Sequence, residues 1–78
     1  MDKVTQEARF VFTFGHGQEH FPGYVVVYGR DEPECRQRMT DQFGRAWSME
    51  YRSEEEAGVE RWHLPLIATI DEPVAVTP

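Results

Sequence analysis

The sequence predicts a small α+β fold: a two-layer ββαβ sandwich in which an antiparallel sheet packs against one main helix, with a fourth strand at one edge. Three patterns predict this class. Large apolar side chains alternate over residues 9–14, residues 24–28 are β-branched and aromatic, and residues 31–44 carry helix start and stop signals. Residues 1–70 constitute the single predicted domain. Residues 71–78, with two prolines and no clear periodicity, are predicted to form a loosely held tail.

The first two strands are predicted from side-chain type and spacing. Phe10, Phe12 and Phe14 recur every second residue, which places them on one side of a strand. Residues 24–28 (YVVVY) suit a strand that is central in its sheet. The intervening residues 15–23 (GHGQEHFPG) hold three glycines and a proline and are predicted to be a loop. The two strands are therefore expected to form an antiparallel hairpin.

The main helix is predicted from its capping residues. Asp31 is the expected N-cap, Pro33 fits the first turn, and Glu34 lies three residues after the cap, as in a capping box. Gly44 is the expected end of the helix. An apolar stripe with a spacing of four residues is expected to face the sheet: Cys35, Met39 and Phe43. Arg38 is expected to lie off that stripe.

The second half of the chain predicts smaller elements. Residues 46–51 alternate and are predicted to be a strand with one wet face, on which Trp47, Met49 and Tyr51 lie together. Residues 53–58 (SEEEAG) predict one short helical turn, capped by serine and ended by glycine. Residues 63–70 are apolar but contain Pro65, which restricts them to an edge strand.

Size and composition exclude several classes of function. A chain of 78 residues has no depth for a large catalytic cavity with its own lid, so binding across a surface is expected. One cysteine cannot form an internal disulfide, and no run of Cys and His has zinc-ligand spacing. The N-terminal segment carries no secretory signal, and no segment has the roughly 18 apolar residues of a membrane span. We therefore expect a cytoplasmic, non-enzymatic protein without cofactor, metal or membrane attachment.

Two groups of residues are candidates for chemistry. His16, Glu19 and His20 have the spacing of a metal-binding pair, but the flanking glycines disfavour the helix that such a pair requires, so a polar loop is expected. Cys35 lies in the first turn of the helix, where the helix dipole favours a thiolate. The neighbouring glutamates oppose that charge, and its place on the apolar stripe predicts core packing instead.

One helix covers only one face of a sheet, so the second face needs its own cover. If Phe10, Phe12, Phe14 and Trp47 fill the core, then the outward residues are predicted to be Val11, Val25, Val27 and Ser48. In the opposite register, exposed aromatics would make the protein a nucleic-acid-binding module, although the basic groove for that role is missing. Residues 62–70 folding back, or a second chain forming a homodimer, are the favoured covers.

Acidic residues predict the candidate contact surface. The formal net charge is -6, and residues 50–60 hold five glutamates and one arginine, a local charge of -4. A solvated, well-capped turn explains this cluster without a function. The functional interpretation is a set of carboxylates that imitates a phosphate backbone and occupies the basic surface of a nucleic-acid-binding protein. The predicted main contacts are Glu50, Glu54, Glu55, Glu56 and Glu60, with a second patch of Asp31, Glu32 and Glu34.

Residues 10–51 resemble a family of small, uncharacterised proteins of bacteriophages and prophages. The resemblance lies in a strand ending in Phe-Gly, a Gly-Gln loop, a Tyr-Val-Val strand, and a helix leading through Phe-Gly to a Trp-containing strand. The residues that carry it are Phe14, Gly15, Gly17, Gln18, Gly23, Tyr24, Met39, Phe43, Gly44, Trp47 and Tyr51. The run His16–His20 departs from the pattern. The resemblance implies a mobile-element accessory protein of the host cytoplasm, a class that includes anti-CRISPR inhibitors of host defence.

Overall fold

The computed structural model describes residues 8–71, which form a four-stranded sheet with one long and two short helices. The strands follow the order β3-β1-β2-β4 across the sheet. The elements in chain order are β1 (Ala8–Thr13), β2 (Tyr24–Gly29), α1 (Glu32–Phe43), β3 (Met49–Tyr51), α2 (Glu54–Ala57), α3 (Val59–Trp62) and β4 (Leu66–Ile70). The predicted tail after Asp71 and the first seven residues of the predicted domain lie outside the described residues.

The predicted two-layer α+β architecture is confirmed, but the sheet is mixed instead of wholly antiparallel. Strand β1 pairs antiparallel with β2 and with β3, whereas β4 runs parallel to β2. Two parallel strands need a long crossover connection between them. The connection from β2 to β4 is of this kind, because the chain passes through α1, β3, α2 and α3 before it pairs with the free edge of β2. Pro65 immediately precedes β4, and its carbonyl accepts a hydrogen bond from Tyr24 N at 2.9 Å.

Local signals at the ends of α1 are confirmed. Asp31 Oδ1 accepts a hydrogen bond from Glu34 N at 3.0 Å, as the predicted capping box requires, but Glu34 Oε1 accepts from Arg30 N at 2.6 Å, one residue before the N-cap, instead of from Asp31 N. At the other end, Gly44 N donates to Thr40 O at 2.7 Å. These bonds satisfy backbone groups that the helix itself leaves without partners.

The core lies between α1 and one face of the sheet. Its buried members are Phe12, Phe14, Val25, Val27, Cys35, Met39 and Ile70. The predicted apolar stripe of α1 is confirmed, but the prediction that Val25 and Val27 point outward is wrong. Val25 lies opposite Phe12 and Val27 opposite Phe10 in the β1–β2 pair. Because directly opposed residues of antiparallel strands project to the same face, these valines join the phenylalanines under the helix.

The predicted third strand is shorter than expected, and its face assignment is wrong. Only Met49–Tyr51 pairs with β1, so Trp47 precedes the strand and does not follow its alternation. The Trp47 ring meets Phe12 edge to face at 4.7 Å on the α1 side. Glu50 lies opposite Phe12 and therefore faces α1, whereas Met49 and Tyr51 project to the other side of the sheet.

On the second face of the sheet, α2 covers the part formed by β1 and β3. Val11 and Val26, on this face, are buried. The prediction that residues 62–70 fold back across this face is wrong, because most of that segment becomes the edge strand β4. The cover comes from the predicted short turn, which continues after Gly58 into α3, a helix that the sequence did not predict.

Candidate functional site

The predicted acidic contacts are divided between the two layers of the fold. Glu50 faces α1 because it lies opposite Phe12 in the sheet. Glu54 lies on the other side, where it binds Arg9, a residue that alternates with Phe10 on β1. The run of glutamates in residues 50–60 is therefore not one surface.

Glu50 is enclosed within the protein. Its side chain is 12% exposed, and its Oε1 lies 2.8 Å from Arg36 Nε on α1. Burial raises the pKa of the Glu50 carboxyl, as do the hydrogen bond with Glu32 and the charge of that neighbour, while Arg36 opposes the change. Glu50 therefore joins the sheet to α1 and is not available to a partner.

The helix-start acids are largely engaged as well. Asp31 and Glu34 cap α1, and Glu34 Oε2 also accepts a hydrogen bond from Arg38 Nη2 at 3.3 Å. Arg38 is only 4% exposed, so the prediction that it lies off the buried face is wrong. Its Nη1 donates to Tyr28 O at 2.6 Å, which shows that its long side chain crosses the apolar layer to reach backbone at the sheet end.

Glu54 fastens α2 to the sheet. Arg9 Nη1 donates to Glu54 Oε1 at 2.9 Å and Arg9 Nη2 donates to Oε2, while Arg9 Nε donates to the Tyr28 hydroxyl at 3.1 Å. These bonds hold the pKa of the Glu54 carboxyl below its usual value and that of Arg9 above its own. Glu54 is therefore a structural anchor more than a contact.

The remaining predicted contacts form what we call the acidic ridge, consisting of Glu55, Glu56 and Glu60 on α2 and α3. All three are exposed. Glu56 Oε1 accepts a hydrogen bond from Arg52 N at 3.0 Å, whereas Glu55 and Glu60 have no side-chain partner within residues 8–71. An open depression of about 460 Å³ runs along the ridge, lined by Glu54, Glu55, Gly58, Val59, Glu60 and Arg61.

Next to the ridge lies an apolar cleft of about 500 Å³ between the loop of residues 15–23 and the α2–α3 pair. Trp62, which is 66% exposed, and Phe21, which is 41% exposed, stand on its two sides. The cleft is lined by Thr13, Phe14, Phe21, Pro22, Tyr51, Ala57, Trp62 and Leu64. The sequence reasoning missed this site. The sequence feature that indicates the cleft is that Phe21 and Trp62 lie outside any periodic apolar pattern.

The two histidines of the loop pack differently: His20 attaches the loop wall of the cleft to the core, and His16 packs on Phe21 within the loop. The His16 ring lies 4.3 Å from the ring of Phe21, and the His20 ring lies 5.2 Å from Phe14 and 5.3 Å from Phe43. These contacts give the histidines a packing role. Across residues 8–71, no three His, Cys, Asp or Glu side chains come together in a way that could hold a metal ion.

The helix wall of the cleft depends on Gly58. This residue has φ +79°, a left-handed conformation that ends α2 and begins α3. A Cβ at position 58 would lie 2.6 Å from Cδ1 of Trp62, so the absence of a side chain leaves the indole room over the turn. The same glycine therefore shapes the helical turn and places the most exposed aromatic of the cleft.

No family model, curated protein or solved structure matches the chain. The bacteriophage context thus stays a prediction carried by the residues that resemble the family. None of the helices within residues 8–71 has the length and apolar character needed to cross a membrane.

Cys35 packs in the core, as predicted. It is buried, and its Sγ lies 3.6 Å from Val27 O. Burial raises the pKa of the Cys35 thiol to about 11, and the attraction of Arg38 is too weak to offset this effect. Little thiolate is therefore present near neutral pH, which removes the main support for a nucleophilic role.

A third depression, beside α1, tests the nucleic-acid alternative. It measures about 680 Å³ and is lined by Arg36, Gln37, Thr40, Arg45, Trp47 and Ser48. Arg36 is already paired with Glu50, which leaves Arg45 as the lining cation without a partner in the described part of the chain. A single uncompensated guanidinium does not provide the row of cations that phosphate tracking uses.

Proposed function

We propose that the protein is a non-enzymatic accessory protein of bacteriophage type that inhibits a host nucleic-acid-binding defence machine. It would act in the cytoplasm of the host cell by occupying a basic surface of that machine. The acidic ridge of Glu55, Glu56 and Glu60 provides the contact.

The observation that carries this proposal is the pair of exposed carboxylates, Glu55 and Glu60, neither of which forms an ion pair within residues 8–71, although Arg61 lines the same depression. They lie on a turn that is held in place at several points. Ser53 Oγ accepts a hydrogen bond from Glu56 N at 3.1 Å, and the Arg9–Glu54 pair ties α2 to β1. Carboxylates on a fixed support lose little freedom on binding, so they can meet Lys and Arg side chains at low entropic cost.

The charge of the acidic ridge acts mainly on how fast a partner is met and how it is oriented, and less on the final affinity. A single exposed ion pair contributes about 0–1 kcal/mol, because water and salt screen it. A cluster on a chain with net charge -6 produces a longer-range field that draws in a basic surface and repels nucleic acid and other acidic partners. This selectivity suits a protein that competes with nucleic acid for one basic surface.

The two rival functions have less support from the geometry. One face of the sheet is covered by α1, where Phe12 and Val25 are buried, and α2 lies over β1 and β3 on the other face, where Val11 and Val26 are buried. The tyrosines that project to the second face, Tyr24, Tyr28 and Tyr51, are half-buried, and Arg9 already binds the Tyr28 hydroxyl and lies over its ring, which weakens this face as a platform for stacking bases. A metal-dependent enzyme would need a ligand cluster that residues 8–71 do not form.

The test uses single charge reversals that change the net charge equally. Glu55→Lys and Glu60→Lys act on the ridge. Asp41→Lys is the matched control, because Asp41 is an exposed acid on α1, in the opposite layer, whose side chain accepts only from Gln37 Nε2 at 2.7 Å. Each tagged variant is used to capture proteins from a bacterial host lysate. Captured proteins are then loaded with labelled nucleic acid, and displacement by the untagged chain is measured.

The expected result is capture of a nucleic-acid-binding protein that releases its labelled nucleic acid when the wild-type chain is added. Both ridge reversals should weaken capture and displacement, and the Asp41 variant should behave as the wild type. Equal capture by all variants would contradict the proposal, as would a captured protein that retains its nucleic acid.

A further inference from the structure

We propose that the apolar cleft receives one large apolar side chain from a basic segment of the partner, with flanking Lys or Arg residues on the acidic ridge. This inference rests on the proposed function and adds to it the kind of segment that is recognised. The occupant is therefore an apolar anchor within a cationic peptide segment, and not a small molecule or a second copy of this chain.

The shape of the cleft favours a side chain as its occupant. Phe21 and the cis-linked Pro22 line the cleft from the loop side and Trp62 lines it from the helix side, together with Thr13 of β1 and Tyr51 of β3. The cleft volume of about 500 Å³ lies in the lower half of the range for ligand sites. Exposed aromatic residues at the centre of a contact are the groups that contribute most when a partner side chain packs between them.

Charge decides between the partners that could fill an apolar cleft. A second copy would bring another net charge of -6 and, in a two-fold arrangement, would place equivalent acidic surfaces near one another. That repulsion disfavours self-association. A basic segment instead meets opposite charge as its apolar side chain enters, so the attraction and the apolar contact act together.

The ridge and the cleft are close enough for one segment to contact both. Ala57 lines the cleft, and the next residue, Gly58, lines the acidic depression, so the two sites meet at the α2–α3 junction. Glu55 and Glu60 precede and follow that junction in the chain. A segment with its anchor between Phe21 and Trp62 thus has carboxylates beside it for the adjacent cations.

Three labelled peptides test this inference on the full chain by fluorescence anisotropy. The first carries one Phe flanked by Lys and Arg, the second has Ala in place of the Phe, and the third keeps the Phe between Glu residues. The protein variants are Trp62→Ala and Phe21→Ala, with Leu66→Ala as control, because Leu66 is an exposed apolar residue on β4 outside the cleft. Circular dichroism confirms that each variant is folded.

The Phe-basic peptide should bind in a saturable manner, and each cleft variant should bind it about 10- to 30-fold more weakly. The Ala peptide and the Glu-flanked peptide should also bind more weakly, and Leu66→Ala should not change affinity. Equal binding of the Phe and Ala peptides, or no effect of either cleft variant, would overturn the inference. So would a wild-type dimer in sedimentation that Trp62→Ala dissociates, since the cleft would then belong to a second copy.

The two proposals fail in different ways. If the ridge reversals abolish capture from lysate while Trp62→Ala leaves it unchanged, the inhibitory function stands and the cleft inference is wrong. If the cleft binds the Phe-basic peptide as expected but the captured partner retains its nucleic acid, the recognition of a basic segment stands and the inhibitory function is wrong.

Discussion

The contact between Gly23 and Ile67 predicts a measurable cost for one added methyl group. Gly23 is buried immediately before β2, and its N donates to His20 O at 2.7 Å. A Cβ at this position would overlap Cγ1 and Cδ1 of Ile67 and would lie 3.0 Å from His20 O. The glycine therefore lets the loop end, β2 and β4 approach one another, and Gly23→Ala should disturb that approach.

The size of the effect follows from two opposing contributions. Overpacking of this kind costs about 1–3 kcal/mol. Replacing glycine restricts the unfolded chain, which returns about 0.4–1 kcal/mol. We therefore expect Gly23→Ala to lower the free energy of unfolding by roughly 1–2 kcal/mol. A domain of 78 residues has roughly 4–12 kcal/mol in total, so the variant remains folded.

A double-mutant cycle with Ile67→Ala tests the cause. Urea unfolding, followed by far-UV circular dichroism, gives the free energy of unfolding for the wild type, both single variants and the double variant. Removing the Ile67 side chain should relieve the overlap, so the two changes should couple by about 1 kcal/mol or more. Gly17→Ala serves as control: its φ of +88° makes alanine strained there, but no atom lies within 4 Å of the added Cβ, so its cost should simply add to that of Ile67→Ala. Additivity of Gly23→Ala and Ile67→Ala within about 0.5 kcal/mol would refute the reasoning.

Three further predictions concern titratable groups. The folded-state pKa of Glu50 is raised above its ordinary value of 4.5, so the stability that this carboxyl contributes is present below pH 4.5 and is lost as the pH rises. In urea titrations, the wild type should therefore gain stability relative to Glu50→Gln when the pH is lowered from about 7. A loss of stability relative to Glu50→Gln would contradict the raised pKa. Cys35 should react with a thiol reagent about 1,000-fold or more slowly in the native than in the unfolded chain, and comparable rates would show that it is not buried. Glu54→Gln should lower the free energy of unfolding by about 0.5–1 kcal/mol; the effect is this small because Arg9 and Glu54 are 35% and 36% exposed and water screens their attraction. Glu55→Gln should change the free energy of unfolding by less, and equal effects of the two variants would exclude the anchor role of Glu54.

The elements that the sequence predicted well are those set by neighbouring residues. Helix α1 begins at Asp31 and ends before Gly44 because each cap is a contact over three or four positions. Ser53 caps α2 in the same way. Such signals act within one turn of helix, so they can be identified without knowing where the rest of the chain lies.

The faces of the sheet could not be predicted because they depend on register. Whether Val25 points inward is decided by its pairing with Phe12, which the loop of residues 15–23 determines. A shift of one residue would have reversed every side chain of β2. The predicted face of Trp47 is wrong for a related reason. Alternation predicts a shared face only where the backbone is extended, and β3 begins two residues after Trp47, at Met49.

The fate of each acidic residue depends on contacts that are distant in sequence. Glu54 and Glu55 are adjacent and chemically equal, yet Glu54 binds Arg9, 45 positions away, while Glu55 remains exposed. Glu50 is enclosed for the same kind of reason, because β3 carries it under α1 to Arg36. The sequence shows where the negative charges lie along the chain. Only the fold shows which carboxylates bind other side chains of the protein and which stay exposed to a partner.

This division of the carboxylates predicts how recognition responds to salt. Exposed charges are screened over about 8 Å at physiological ionic strength and over about 3 Å at 1 M, so a contact made only by Glu55 and Glu60 should be lost at high salt. An anchor between Phe21 and Trp62 is not weakened in this way, because apolar burial is insensitive to such screening. In anisotropy titrations from about 0.15 M to about 1 M salt, the Phe-basic peptide should therefore lose part of its affinity and keep the rest, whereas its Ala counterpart should stop binding. Complete loss for both peptides would mean that charge alone carries the contact and that the cleft contributes nothing to it.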